Sequence, residues 1–275
     1  MILSMPLLLM TSSCDADYLI TAEPQLVVEG WIDDGEFPVV LLTYSIPLSE
    51  EPNDLSDWKS LLVRYAVVKV SDGDTEVTLT GKYDSRYMPP YVYTTGRLRG
   101  QAGKTYHLTV DYDDCHAEAV TEIPMPPKSV EYSVAPVSSD SSLYKITATF
   151  DEDTTTTDYY NLRCLANGES RQYMACYMGT AADNVMTGRQ NLPVYRPHKL
   201  GLRDYTPYFE YLDTVDVKFS RIGYQEYLFW DSYLKSLSTA SDMFMSTGAN
   251  IVGNVSGAYG YWCGYGSITS RVIVK

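Results

Sequence analysis

Only three histidines occur in the 275 residues, His107, His116 and His198, and none lies in a recognisable nucleophile motif. There is no G-x-S-x-G elbow, no H-E-x-x-H pair and no P-loop, which removes the familiar hydrolase, zincin and nucleotide-binding signatures. No cysteines stand at zinc spacing or as a C-x-x-C redox pair. Positive charge is scarce too. With 21 Lys and Arg against 35 Asp and Glu the net charge is −14, which argues against nucleic acid and bare anionic lipid as partners. No internal segment reaches membrane length, and no repeat or low-complexity run stands out. A non-enzymatic protein without cofactor is the expectation.

What is present begins at the N-terminus. Met1 to Met10 is almost wholly apolar, and Thr11-Ser12-Ser13 leads into Cys14. An apolar core for the translocon, small residues for the peptidase and then a cysteine is the order of a bacterial lipoprotein signal peptide, with Cys14 lipidated. The run is too short to span a bilayer, so acyl chains such as palmitate would hold the protein there. Thr11 stands where such signals favour Leu, and no Lys or Arg precedes the core, as would follow from a start further upstream. The competing readings are a buried strand or a cleaved soluble signal. Asp15 and Asp17 resemble the acidic stretch that sends some Bacteroidota lipoproteins to the outer face, although Ala16 interrupts it. The expected location is the outer membrane, lipid-anchored and exposed at the cell surface.

Strand periodicity dominates the rest. Gln25–Ile32 precedes Pro38–Tyr44; Ala66–Ser71 and Thr75–Thr80 flank the positive-φ turn Asp72-Gly73. Thr105–Tyr112 sets Tyr106, Leu108, Val110 and Tyr112 on one face, and Asp113-Asp114 turns the chain into Cys115–Ile123. Short strands at this spacing predict an N-terminal β-sandwich (Ig/transthyretin-like) over 25–123, after a signal at 1–14 and a tether at 15–24. Pro124-Met125-Pro126-Pro127 cannot donate to a ladder and is taken as a linker. A second β-rich domain over 128–275 follows, with strands at Leu143–Phe150, 158–166, 171–178, Val215–Phe219 and Ser267–Val274. Its one substantial helix is expected over 221–239, where Tyr227, Trp230, Leu234 and Leu237 recur at helical spacing. Both domains together make the fold class mainly β.

Cys115, Cys164, Cys176 and Cys263 remain after Cys14 and permit three disulfide pairings. The Asn167-Gly168 turn would place Cys164 far along the ladder from Cys176, and buried free thiols are an equal alternative. On the 105–123 hairpin Asp111 faces His116, with Glu118 further along. These three form a weak candidate for Zn²⁺ or Ca²⁺ against the alternative of a solvated face. Asp111, Asp113 and Glu122 fit calcium-loop positions, but His116 replaces the turn glycine.

Tyrosine is abundant, 25 against 6 Phe and 4 Trp, and suits surfaces both wet and adhesive. Two Pro-rich loops carry candidate binding rings: Tyr87, Tyr91 and Tyr93 in one, Tyr205, Tyr208 and Tyr211 in the other. A glycine-rich tail from Gly248 to Gly266 adds Tyr259, Tyr261 and Trp262. It lacks the Lys-Ser/Thr of a phosphate cradle, and its glycines read as tight turns with rings packed over bare backbone. The alternative for the loop rings is that they fold down to close the sandwich ends.

Leu26-Val27-Val28-Glu29-Gly30-Trp31-Ile32 followed by Pro38-Val39-Val40-Leu41-Leu42 resembles the opening of the Bacteroidota lipoprotein family called domain of unknown function 4249. Val67–Leu79, Gly103–Val110, Ile123-Pro124, Asn250–Val255, Gly257 and Gly260-Tyr261-Trp262 are similar to its later segments in the same order. Cys263 departs from the family's small apolar residue. The resemblance implies an outer-membrane lipoprotein with no settled activity and a TonB-dependent receptor as neighbour. It supplies no catalytic residue. The leading expectation is an accessory to such a receptor in nutrient uptake. An envelope or adhesion module that binds a protein, peptide or glycan without transport is the alternative, and a hydrolase with an unrecognised site is third.

Overall fold

The structure, a computed structural model, describes residues 24–45, 60–139, 142–152, 155–167, 172–183, 188–197, 205–240 and 251–275. The expected signal with Cys14, nearly all of the tether, His198 and Gly168 of the Asn167-Gly168 turn lie outside the described residues. Among the described residues the fold is mainly β with a single substantial helix. In chain order the strands of the first half are β1 (Leu26–Asp33), β2 (Val39–Tyr44), β3 (Val67–Ser71), β4 (Glu76–Thr78), β5 (Thr80–Tyr83), β6 (Tyr91–Thr94), β7 (Thr105–Tyr112) and β8 (Cys115–Glu122). Then come β9 (Glu131–Pro136), β10 (Leu143–Asp151), β11 (Tyr159–Ala166), β12 (Met174–Ala182), β13 (Arg189–Val194), β14 (Phe209–Glu210) and β15 (Thr214–Ile222). Helix α1 (Tyr224–Ala240), β16 (Val255–Ser256) and β17 (Tyr259–Ile273) complete the chain.

One eight-stranded sheet, in the order β12-β11-β15-β17-β1-β2-β6-β5, takes strands from both sides of Pro124–Pro127. Its joint is β17, which runs parallel to β1 from Val27↔Tyr259 to Asp33↔Tyr265 and then antiparallel to β15 from Arg221↔Gly266 to Thr214↔Ile273. Two smaller sheets cover one face of it. The five-stranded sheet β16-β8-β7-β3-β4 packs against the β1–β2 side, with Val28, Ile32, Tyr106, Leu108 and Trp262 fully buried between them. The sheet of β13, β10, β14 and β9 covers the β11–β15 side through Ile146, Phe150, Tyr160, Leu162 and Phe219. Period-two alternation sends the other residues of the same strands to the opposite face, where α1 lies on Tyr261, Cys263 and Tyr265. Each large side chain buried this way contributes about 1.5–3 kcal/mol.

Three sequence readings are corrected: the turns of the tail, the start of the helix and the distance of Cys164 from Cys176. The glycine–aromatic tail makes a 15-residue strand from Tyr259 onward instead of a series of turns. Its glycines are required by close approach: at Gly260 φ is +111° and a Cβ would lie 1.9 Å from the Val28 carbonyl oxygen. The helix starts at Tyr224 because Arg221 and Ile222 finish β15. Its first turn is anchored by Glu226, whose carboxylate accepts from Thr121 Oγ1 at 2.7 Å and Asn254 Nδ2 at 3.3 Å. Cys164 and Cys176 are buried thiols near enough to interact, because Cys164 pairs with Met174 across the β11–β12 ladder, which carries an irregularity between Asn161 and Arg163. No helix among the described residues is long and apolar enough to cross a membrane.

Candidate functional site

The helix does not close down on the whole sheet face. Between α1, β1, β12 and the start of β17 it leaves a pocket of about 560 Å³. Alternation along β1 aims Val27, Glu29 and Trp31 into it, opposite to Val28 and Ile32 of the core. The helix supplies Phe229, Trp230 and Tyr233, and β17 supplies Tyr259, Tyr261 and Tyr265. These rings brace one another. Phe229 and Tyr261 centroids are 4.5 Å apart, Phe229 stacks on Tyr233 at 5.9 Å, and Trp230 Nε1 donates to the Tyr265 hydroxyl at 2.9 Å. A wall of mutually packed rings loses little rotamer freedom when a ligand arrives.

Glu29 is the chemical focus of this pocket. Solvent reaches it through the mouth, yet protein atoms crowd round it, and that burial raises its carboxyl pKa. No hydrogen bond or ion pair from a described residue ends on it. Burial, and then the Glu29 charge, also raise the hydroxyls of Tyr233 and Tyr261. Arg163 lines the pocket as well but is already committed. It donates from Nη2 to Asp33 Oδ1 at 2.8 Å and lies 3.5 Å over the Tyr265 ring. Lys218 contacts Asp33 at 3.3 Å and Glu36 at 2.9 Å. Two cations thus meet two carboxylates beside the pocket, and Glu29 carries the charge left over.

The sequence-selected residues fall in several places. Tyr259 and Tyr261 line the pocket, and Tyr87 abuts it through Trp31, with ring centroids 5.9 Å apart. Trp262 points the other way, fully buried with Nε1 donating to the Tyr106 carbonyl at 3.0 Å, so it presents no ring to a ligand. Tyr93 is likewise a core residue, its hydroxyl donating to the Val63 carbonyl at 3.0 Å. Tyr91 packs edge-on against Tyr93 at 5.6 Å. Tyr205 and Tyr208 join a separate ring cluster with Tyr177 and Tyr195, and exposed Tyr211 pairs with Tyr144 at 6.2 Å. Neither proline-rich loop is brought to the pocket as a unit.

Asp111, His116 and Glu118 do meet as the hairpin register predicts. His116 Nδ1 lies 2.6 Å from Asp111 and Nε2 lies 2.8 Å from Glu118. Hydrogen bonds to Glu118 and then Asp111 raise the imidazole pKa. All three side chains are exposed, and they pair with one another on the solvated face. Glu29, Phe229 and Tyr233 were missed as site residues. Only the alternation of Val27, Glu29 and Trp31 against Val28 and Ile32 marks Glu29 in the sequence.

A family model described as Domain of unknown function (DUF4249) matches residues 13–271 of this chain. No curated protein matches it significantly.

Proposed function

The chain belongs to the DUF4249 family, and from that premise we propose that it is an outer-membrane lipoprotein, anchored through Cys14, that captures a small organic cation for a TonB-dependent receptor. The observation that carries the ligand class is the Glu29 carboxylate, without a partner among the described residues, inside a ring-walled pocket of about 560 Å³. A neutral apolar ligand would leave that carboxylate crowded and unpaired, which costs free energy. An ammonium or guanidinium group would pair with it while its apolar body lies against Trp31, Phe229 and Tyr233, with cation–π attraction added. The lipid anchor places such a pocket at the membrane where a receptor works, and the acidic net charge draws cations towards it.

Two measurements test this. Titration with phenethylammonium should quench tryptophan fluorescence and bind at least about tenfold more tightly than phenethyl alcohol, a difference of about 1.4 kcal/mol. Glu29→Gln should remove the preference while leaving the alcohol's affinity in place. Because the carboxylate must be ionised, the preference should fade as pH drops through the raised Glu29 pKa. Equal affinities for the two probes would sink the cation reading. For the partner, gentle detergent extraction of the tagged full-length protein should recover a TonB-dependent receptor in stoichiometric amount, and the Cys14→Ala form should not. Recovery of the folded lipoprotein alone would refute a stable complex.

A further inference from the structure

A second cluster of charged groups lies away from the pocket, where the β10–β11 and β12–β13 connections meet. Glu152, Asp158 and Asp183 each present a carboxylate oxygen, and the three oxygens all lie within 4.8 Å of one another. Three like charges this close are unfavourable unless something positive sits among them. Arg221 supplies part of it, with Nη2 2.7 Å from Asp158 Oδ2. The rest is unmet. Glu152 is only 7% exposed, and among the described residues neither of its carboxylate oxygens has a hydrogen-bond partner of good geometry. The Tyr160 hydroxyl lies close enough to lower its pKa somewhat, but burial and the charges of Asp158 and Asp183 prevail and raise it.

The other two acids are oriented for the same purpose. Asp158 uses Oδ2 for Thr156 and Arg221, and Asp183 uses Oδ2 for the Asp158 amide at 2.9 Å. Among the described residues this leaves Oδ1 of both without a bond. The backbone clamps the two connections together: the Asp183 amide donates to the Asp158 carbonyl at 3.1 Å and the Glu152 amide to the Gly188 carbonyl at 2.9 Å.

We propose that Glu152, Asp158 and Asp183 form a calcium site that pins the β10–β11 connection to the β12–β13 connection. The ligands are all hard oxygens, as Ca²⁺ requires, and two ligands of one ion held at about 2.3–2.6 Å cannot be more than about 5 Å apart. The charge balances as well. Three carboxylates and one guanidinium sum to −2, which a single Ca²⁺ neutralises. Waters complete the shell. The burial of Glu152 explains itself on this basis: an unpaired carboxylate is expensive there, and a bound ion satisfies both its oxygens.

The test uses the full-length chain stripped with EGTA. Calcium at 1 mM should raise Tm by about 5 °C, and Tb³⁺ should give luminescence sensitised by the nearby Tyr160 that Ca²⁺ displaces. Glu152→Gln keeps the shape and removes one charge. It should abolish the calcium-dependent rise, and its calcium-free Tm should equal or exceed that of the calcium-free parent, because like-charge repulsion is relieved. A merely structural Glu152 would give the opposite sign in the absence of calcium. Asp183→Asn provides the same readout should the first variant fail to fold. An unchanged Tm at 10 mM Ca²⁺, an equal rise in parent and variant, or tighter binding of Mg²⁺ would each overturn the assignment.

Discussion

Replacing Asp33 by Ala should lower the unfolding free energy by about 3–5 kcal/mol, visible as a reduced urea midpoint at unchanged slope. Asp33 ends β1 and is 2% exposed. It receives Arg163 Nη2 at 2.8 Å from β11, Lys218 Nζ at 3.3 Å from β15 and the Ser267 hydroxyl at 2.7 Å from β17. One carboxylate therefore holds together four strands drawn from both halves of the chain. Its loss strands Arg163, itself 6% exposed, with a guanidinium that keeps the Tyr265 ring and only long hydrogen bonds to Ser220 and Ser267 at 3.5 and 3.4 Å. The penalty comes from the unpaired cation, not from the worth of the pair in isolation. Replacing Asp33 and Arg163 together by Leu should accordingly cost less than Asp33→Ala alone.

The sign of the pH dependence follows from the Asp33 pKa. Burial alone would raise it, but the charges of Arg163 and Lys218 and the hydrogen bonds from Arg163 and Ser267 outweigh burial and lower it below its ordinary value of 3.8. A carboxyl lowered on folding contributes stability that is fully present above its unfolded pKa. That contribution is lost as pH falls through the folded value. The gap between parent and Asp33→Ala should be constant from pH 7 to about pH 5 and narrow below about pH 4. A gap that persisted undiminished at pH 2 would mean that Asp33 acts by packing and not by charge.

How much of this was legible in the sequence depends on the distance over which each feature is decided. The hairpin of Thr105–Tyr112 and Cys115–Glu122 and the Asp72-Gly73 turn are local, and alternation with turn chemistry suffices to find them. The helix face with Trp230 and Leu234 is local as well. The parallel pairing of β1 with β17 is not, because it joins Val27 to Tyr259 across almost the whole chain. Glycine there misleads a local reading. Gly264 and Gly266 stand where a Cβ would strike the Glu122 and Pro124 carbonyls, so they serve the approach of β8 to β17 and not a turn. Glu29 shows the same limit in the site. Its face on β1 can be read from the alternation, but a surface acid becomes a pocket acid only when α1, far along the chain, folds over it. The Glu152 cluster escapes for that reason too, since Asp183 comes from a different connection than Glu152 and Asp158.

Trp262→Ala should be as damaging as the loss of Asp33, at about 3–5 kcal/mol, and its partner on β1 makes the cause testable. Trp262 is fully buried in the first sandwich, and truncation leaves a cavity there and removes the indole hydrogen bond to the Tyr106 carbonyl. Gly30 lies directly opposite in the β1–β17 register, and a Cβ added to it would come within 2.7 Å of Trp262 Cε3. The glycine is there because the indole occupies its side-chain space. Gly30→Ala in the parent should therefore be destabilising, since indole and backbone must separate. In the Trp262→Ala background the same methyl enters the cavity and should cost little or even stabilise. A double-mutant cycle by urea unfolding should return a coupling of about 1–3 kcal/mol in favour of the double variant. Strict additivity would show that the two positions do not share this space. Pocket binding of phenethylammonium by Trp262→Phe, which keeps most of the volume, should stay at the parent level, because Trp262 faces the core while Glu29 and Tyr261 face the ligand. A loss of binding in the folded Phe variant would return Trp262 to the ligand site.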